Sequence, residues 1–141
     1  MGLLIYLLLA GAIKTQAQNK IIVEVSNFEN NKGVCVVGLY NNNIAFSGKG
    51  EPVKKLLITP VNNSATAVFD NVEEGTYAVS VIHDANKNNK FDTNFLGIPT
   101  EGYGASKNKL PFASAPKFEA NKFIVAPNST STVNIKLRYL F

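Results

Sequence analysis

The sequence predicts an all-β fold: a single antiparallel β-sandwich of about seven strands, with a long loop after strand five. Three observations lead there. Apolar residues recur with a period of two, and no window of eleven residues carries a helical stripe. Asn, Gly and Pro gather between the periodic segments, where turns need them. Parallel α/β folds require crossover helices, and the missing helical period excludes them. At 141 residues, 45% hydrophobic and 17% charged, the chain is less charged than the usual ~25%. It has enough length for one domain with a core.

Residues 1–17 stand apart from the fold. Leu3–Ile13 is an apolar run, and Thr15-Gln16-Ala17 puts small residues where a signal peptidase reads. The run is short of the ~20 residues that span a bilayer. Residues 1–17 are therefore expected to be a signal peptide and 18–141 the mature domain, periplasmic or extracellular and without a membrane span. No Lys or Arg precedes the run, so its positive end is the terminal amine alone. No cysteine follows it to carry a lipid.

Strand by strand, Ile21, Val23 and Val25 alternate with Ile22, Glu24 and Ser26. Gly33–Tyr40 is apolar and rich in β-branched residues. Lys54–Pro60 holds Leu56-Leu57-Ile58, and Ala65–Phe69 alternates. Thr76–Asp84 puts Tyr77, Val79, Val81 and His83 on one face. Lys122–Ala126 holds Phe123-Ile124-Val125. In Thr132–Tyr139 the inward set is Val133, Ile135, Leu137 and Tyr139. Asn30-Asn31, Asn41-Asn42-Asn43 and Asn88-Asn89 mark loops, because Asn tolerates left-handed backbone and caps turns. The Asp84–Pro116 connection is too long to be structureless in a compact domain, so its aromatic and proline residues are expected to pack it in place.

Loss of Lys14 with the leader lowers the formal net charge from +4 to +3. The remaining basic residues are scattered and Arg occurs once, so no basic stripe for nucleic acid is visible. Cys35 is the sole cysteine and lies in an apolar run, which implies a buried, inert thiol and no internal disulfide.

The chemistry concentrates in residues 84–92. Asp84, Asn86, Asn88 and Asp92 occupy positions 1, 3, 5 and 9 of a calcium-loop pattern. A hard cation takes about six to eight oxygens, and alternate side chains of a curled loop can all turn inward. Position 7 contributes the Lys90 carbonyl, and Asn89 supplies the sharp turn at position 6. The expected ligand set for Ca²⁺ is thus Asp84, Asn86, Asn88, the Lys90 carbonyl and Asp92. Phe95 stands where an EF-hand has a bidentate Glu; Asn94 or Glu101 are the candidates for the missing oxygens. The competing reading is a loop whose carboxylates and amides bond only to backbone N–H groups.

His83 shares a face with Tyr77 and Val81, opposite to that of Asp84, so a structural histidine is the simpler reading. A serine triad would need His83, yet no G-x-S-x-G elbow exists. Zinc needs more than one His and one Cys. No catalytic signature is found, which favours a binding or structural module with a protein or glycan partner at Phe91, Phe95 or Tyr103. The alternative is a hydrolase-like enzyme with a pocket near His83 and Glu101.

Phe69–Val79 (FDNVEEGTYAV) and His83–Ser106 (HDANKNNKFDTNFLGIPTEGYGAS) resemble a bacterial exported family catalogued as domain of unknown function 2141. Asn89 stands where that family usually has glycine. The first segment also looks like transthyretin-like and Cna-B-like sandwiches. These resemblances imply an immunoglobulin-like or prealbumin-like sandwich and carry no activity.

Overall fold

The computed structural model describes residues 11–12, 18–112 and 114–141. The predicted signal peptide lies outside the described residues, apart from Gly11 and Ala12. The strands are β1 (Asn19–Ser26), β2 (Val34–Tyr40), β3 (Lys54–Ile58), β4 (Ala65–Val72), β5 (Gly75–Asp84), β6 (Tyr103–Ala105), β7 (Phe123–Val125) and β8 (Thr130–Lys136). They form two sheets. One runs β4-β1-β8, the other β3-β2-β5-β6, with β7 paired to the start of β5. Among the described residues, the helical elements are a kinked turn over Ala45–Lys49 and the single turn α1 (Phe118–Asn121). Among the described residues no helix is long and apolar enough to cross a membrane.

The period-two pattern sorts the side chains as expected. Val23 faces Ala67 on β4 and Val133 on β8, while Val37 faces Val81 and Leu39 faces Val79 across β2 and β5. All of these enter one core fed by both sheets, together with Ile21, Phe69 and Ile135. Each such burial removes apolar area worth roughly 1.5–3 kcal/mol from water. The other face of the larger sheet is covered differently. Phe46 lies edge-on to Tyr40 and Phe118, tying the helical turn and α1 over it.

Two expectations change. The strands number eight among the described residues instead of seven, because the long connection contains β6. Nor is the pairing wholly antiparallel, since β1 and β8 run parallel from Lys20↔Thr130 to Ser26↔Lys136. A parallel pair needs a long crossover, and here nearly the whole domain lies between the two strands. β6 is short but well held. It pairs with β5 on one side, and on the other Tyr103 exchanges two backbone bonds with Arg138, at 3.1 and 2.8 Å. The connection expected to be ordered is thus fastened at its midpoint to both sheets.

Candidate metal centre

β5 ends at His83 and Asp84, both buried, and the chain then curls. Asp84 accepts the N–H of Asn88 on Oδ1 (3.2 Å) and that of Asn89 on Oδ2 (3.0 Å). Asn86 Oδ1 accepts from Asn88 N–H at 3.2 Å, and Asn88 Oδ1 from Lys90 N–H at 3.0 Å. The loop turns through left-handed backbone at Asn89 (φ 60°), as position 6 demands, and also at Lys87 (φ 56°). From behind, the turn before β2 presses on its start: a Cβ on Gly33 would lie 2.0 Å from the Asp84 carbonyl oxygen. No side chain fits there.

The amide groups of Asn86 and Asn88 both reach Asp92. Asn86 Nδ2 donates to Oδ2 at 2.8 Å, and Asn88 Nδ2 to Oδ1 and Oδ2 at 2.8 and 2.9 Å. These bonds, Asn88 first, hold the Asp92 carboxyl below the usual carboxylate range. Of the five expected ligand residues, the structure therefore brings Asp84, Asn86, Asn88 and Asp92 into one bonded cluster, with Lys90 fixed through its N–H. Several of those oxygens also cap backbone N–H groups, as the competing reading expects.

Residues 92–100 form a tight hairpin. Asn94 N–H donates to the Ile98 carbonyl and Thr100 N–H to that of Asp92, while Thr93 and Pro99 bridge. Phe95, at the twelfth loop position, projects from its tip with 96% exposure. The hairpin returns Glu101 to the cluster, where Oε2 accepts the Asp92 N–H at 3.1 Å. Glu101 is 8% exposed, and its Oε1 is buried without a hydrogen-bond partner. Burial pushes this carboxyl above its ordinary value, against the Asp92 N–H, and the charges of Asp92 and Asp84 push the same way. An orphaned carboxylate oxygen at this point suits a cation. Among the described residues no three His, Cys, Asp or Glu side chains form a group able to hold a metal ion, so an ion here must also use amide and carbonyl oxygens, which calcium accepts.

His83 takes no part in the cluster. It is buried edge-on to Phe28, its ring centroid 4.9 Å away. Its Nε2–H donates to the Lys32 carbonyl at 2.7 Å, leaving Nδ1 to accept the Tyr139 hydroxyl at 2.9 Å. That hydroxyl in turn accepts Glu29 N–H at 3.2 Å. Tyr139 also lies flat against Gly102, where a Cβ would come 2.4 Å from its ring. Sequence reasoning assigned Tyr139 only to the core; nothing in its spacing marks it as the partner of His83. Tyr103, expected as a contact residue, is buried and packs on Phe91 at 5.9 Å.

A family profile described as an uncharacterised protein conserved in bacteria, domain of unknown function 2141, matches residues 23–133. The chain belongs to this family. The match runs from the core of β1 to β8 and includes the whole acidic cluster. In this family member, the segment Glu101–Ser106 is the buried wall that closes the loop and pairs with β5. No curated protein and no solved structure matches the chain.

Proposed function

We propose that this chain is an exported cell-envelope or secreted β-sandwich module, immunoglobulin-like or prealbumin-like, that binds Ca²⁺ in its 84–92 loop. Asp84, Asn86, Asn88, the Lys90 carbonyl and Asp92 are the ligands. The ion braces the loop and the hairpin beyond it, and these present Phe91 and Phe95 to a protein or glycan partner. The observation that carries the reading is the gathering of Asp84, Asn86, Asn88 and Asp92 into one hydrogen-bonded cluster, in which Asn86 and Asn88 donate amide N–H to Asp92 and would turn their oxygens inward by rotation of the amide on binding an ion. Those are the alternate positions from which oxygen ligands of a curled loop meet. Export is supported by the apolar run and the small residues of Thr15–Ala17.

The rival hydrolase-like reading, with a pocket at His83 and Glu101, draws no support from the histidine. A general base needs a free nitrogen within reach of substrate, and both ring nitrogens of His83 are engaged beneath the surface.

Calcium bound only by the folded chain adds about 2.7 kcal/mol at a hundred times its dissociation constant. Affinity is expected near the roughly 10⁻⁴–10⁻³ M of extracellular modules. Thermal unfolding in tens of millimolar CaCl₂ should therefore lie several degrees above that in chelator, by ~2–8 °C per kcal/mol for domains of this size range. Equal melting temperatures would falsify the calcium reading.

A further inference from the structure

We propose that Glu101 is the closing ligand of this cation site, supplying from the edge of β6 the carboxylate that the twelfth loop position lacks. The inference rests on the calcium reading and names what completes it. The candidates are few. Phe95, at the twelfth position, points away at the hairpin tip. Asn94 lies on the tip side of the Thr93–Pro99 bridge, where its Oδ1 caps its own turn through the N–H groups of Leu96 and Ile98, at 2.9 and 3.1 Å. Glu101 remains. One of its oxygens is anchored on Asp92 N–H and the other is buried and unbonded.

Electrostatics point the same way. Glu101 meets the loop at the Asp92 N–H, and although Asp84, Asp92 and Glu101 do not stand as a ready-made metal group, none of them takes part in an ion pair among the described residues, where the pairs are Lys20–Asp70 and Lys122–Glu119. A buried carboxylate oxygen without a donor is costlier than a neutral orphaned group. A divalent ion removes that cost and the mutual repulsion together. It also links two segments far apart along the chain, because Glu101 leads directly into Gly102, whose carbonyl accepts His83 N–H at 2.8 Å, and into β6. Ion binding therefore clamps the 84–92 loop to β6.

Titration of the mature domain with CaCl₂ by calorimetry tests this with Glu101→Gln, which keeps shape and removes charge. Glu101→Asp, which keeps charge and shortens reach, is the second variant. The expected result is a loss of calcium affinity of at least tenfold in Glu101→Gln and an intermediate loss in Glu101→Asp. Melting should invert between conditions. In chelator Glu101→Gln melts at or above the unsubstituted protein, because repulsion is relieved, and in calcium it melts below. A purely structural glutamate gives no such inversion. If the unsubstituted protein binds calcium and Glu101→Gln binds within twofold of it, the closing role is wrong and the loop reading stands. If the unsubstituted protein binds none, both fall.

Discussion

Cys35 pairs in register with His83 across β2 and β5 and is fully buried. Burial pushes its thiol from 9.0 to about 12. The thiolate is the reactive species, so Ellman's reagent at pH 8 should leave the native protein unmodified and label one thiol per chain once denaturant unfolds it. Rapid labelling of the native protein would show that the sheet opens locally at this position. The linked stability has a definite sign. Between pH 9 and pH 12 the unfolded thiol is ionised while the folded one keeps its proton, so the folded state loses stability as pH rises through that window. Seven Asn residues and Lys87 are the non-glycine positions with positive φ among the described residues. Part of the compositional bias toward Asn thus reflects backbone geometry, though in the runs Asn30-Asn31, Asn41-Asn42-Asn43 and Asn88-Asn89 it is Asn89 alone that takes the left-handed conformation. Asn89 at the sixth loop position is the instance that matters for the site.

The element least visible in the sequence is β6, with the connection that follows it. Its three residues are flanked and interrupted by glycine and show no alternation, so a period-two reading passes over them. What holds the segment is long-range. Ser106 accepts Val79 N–H on its hydroxyl (2.8 Å) and donates to the Asn121 carbonyl (2.8 Å). Asn121 is fully buried. Its Oδ1 accepts from Lys107 and Lys109 N–H, and its Nδ2 donates to the Lys109 and Lys117 carbonyls. One amide thus satisfies four backbone groups of an irregular loop. Replacing it by Asp keeps the acceptors, loses both donors and buries a charge facing two carbonyls. We expect Asn121→Asp to cost more than Asn121→Ala, and Asn121→Ala at least about 2 kcal/mol, from orphaned groups at roughly 1–3 kcal/mol each. Urea unfolding of the two variants checks the order; Asp milder than Ala would mean that the two retained acceptor bonds outweigh the charge buried against the Lys109 and Lys117 carbonyls. Strands with an inward stripe, such as β1, β5 and β8, were legible because burial writes its period into the residues. The clustering of residues 84–92 was legible because its hydrogen-bonding partners are local. β6, the His83–Tyr139 pair and Asn121 were not, because their bonding partners lie up to 56 residues away and only the folded chain brings them together. The parallel β1–β8 pair escaped for the same reason.

At the scale of the whole molecule, exposed apolar surface gathers where the 84–92 loop ends. A cleft of about 500 Å³ opens there between Phe91, Leu96, Ile98, Tyr103, Phe112 and Leu140. Phe95, Phe112 and Phe141 stand in solvent at 96%, 89% and 75% exposure. Apolar area of this kind commonly marks an interaction site, yet the three aromatic residues expected to meet a partner do not play one part. Phe95 touches solvent almost entirely, Phe91 is partly covered, and Tyr103 is buried between β5 and the Arg138 segment. Substituting them should therefore separate contact from support. Phe95→Ser should stay within about 0.5 kcal/mol of the unsubstituted protein, as exposed positions do. Tyr103→Ala should lose roughly 3–5 kcal/mol, as buried aromatics do. Denaturant unfolding reads both effects: an unchanged midpoint for Phe95→Ser, and a lower one for Tyr103→Ala. A strongly destabilised Phe95→Ser would place the hairpin tip inside the folding core and leave the proposed contact surface without its most exposed residue.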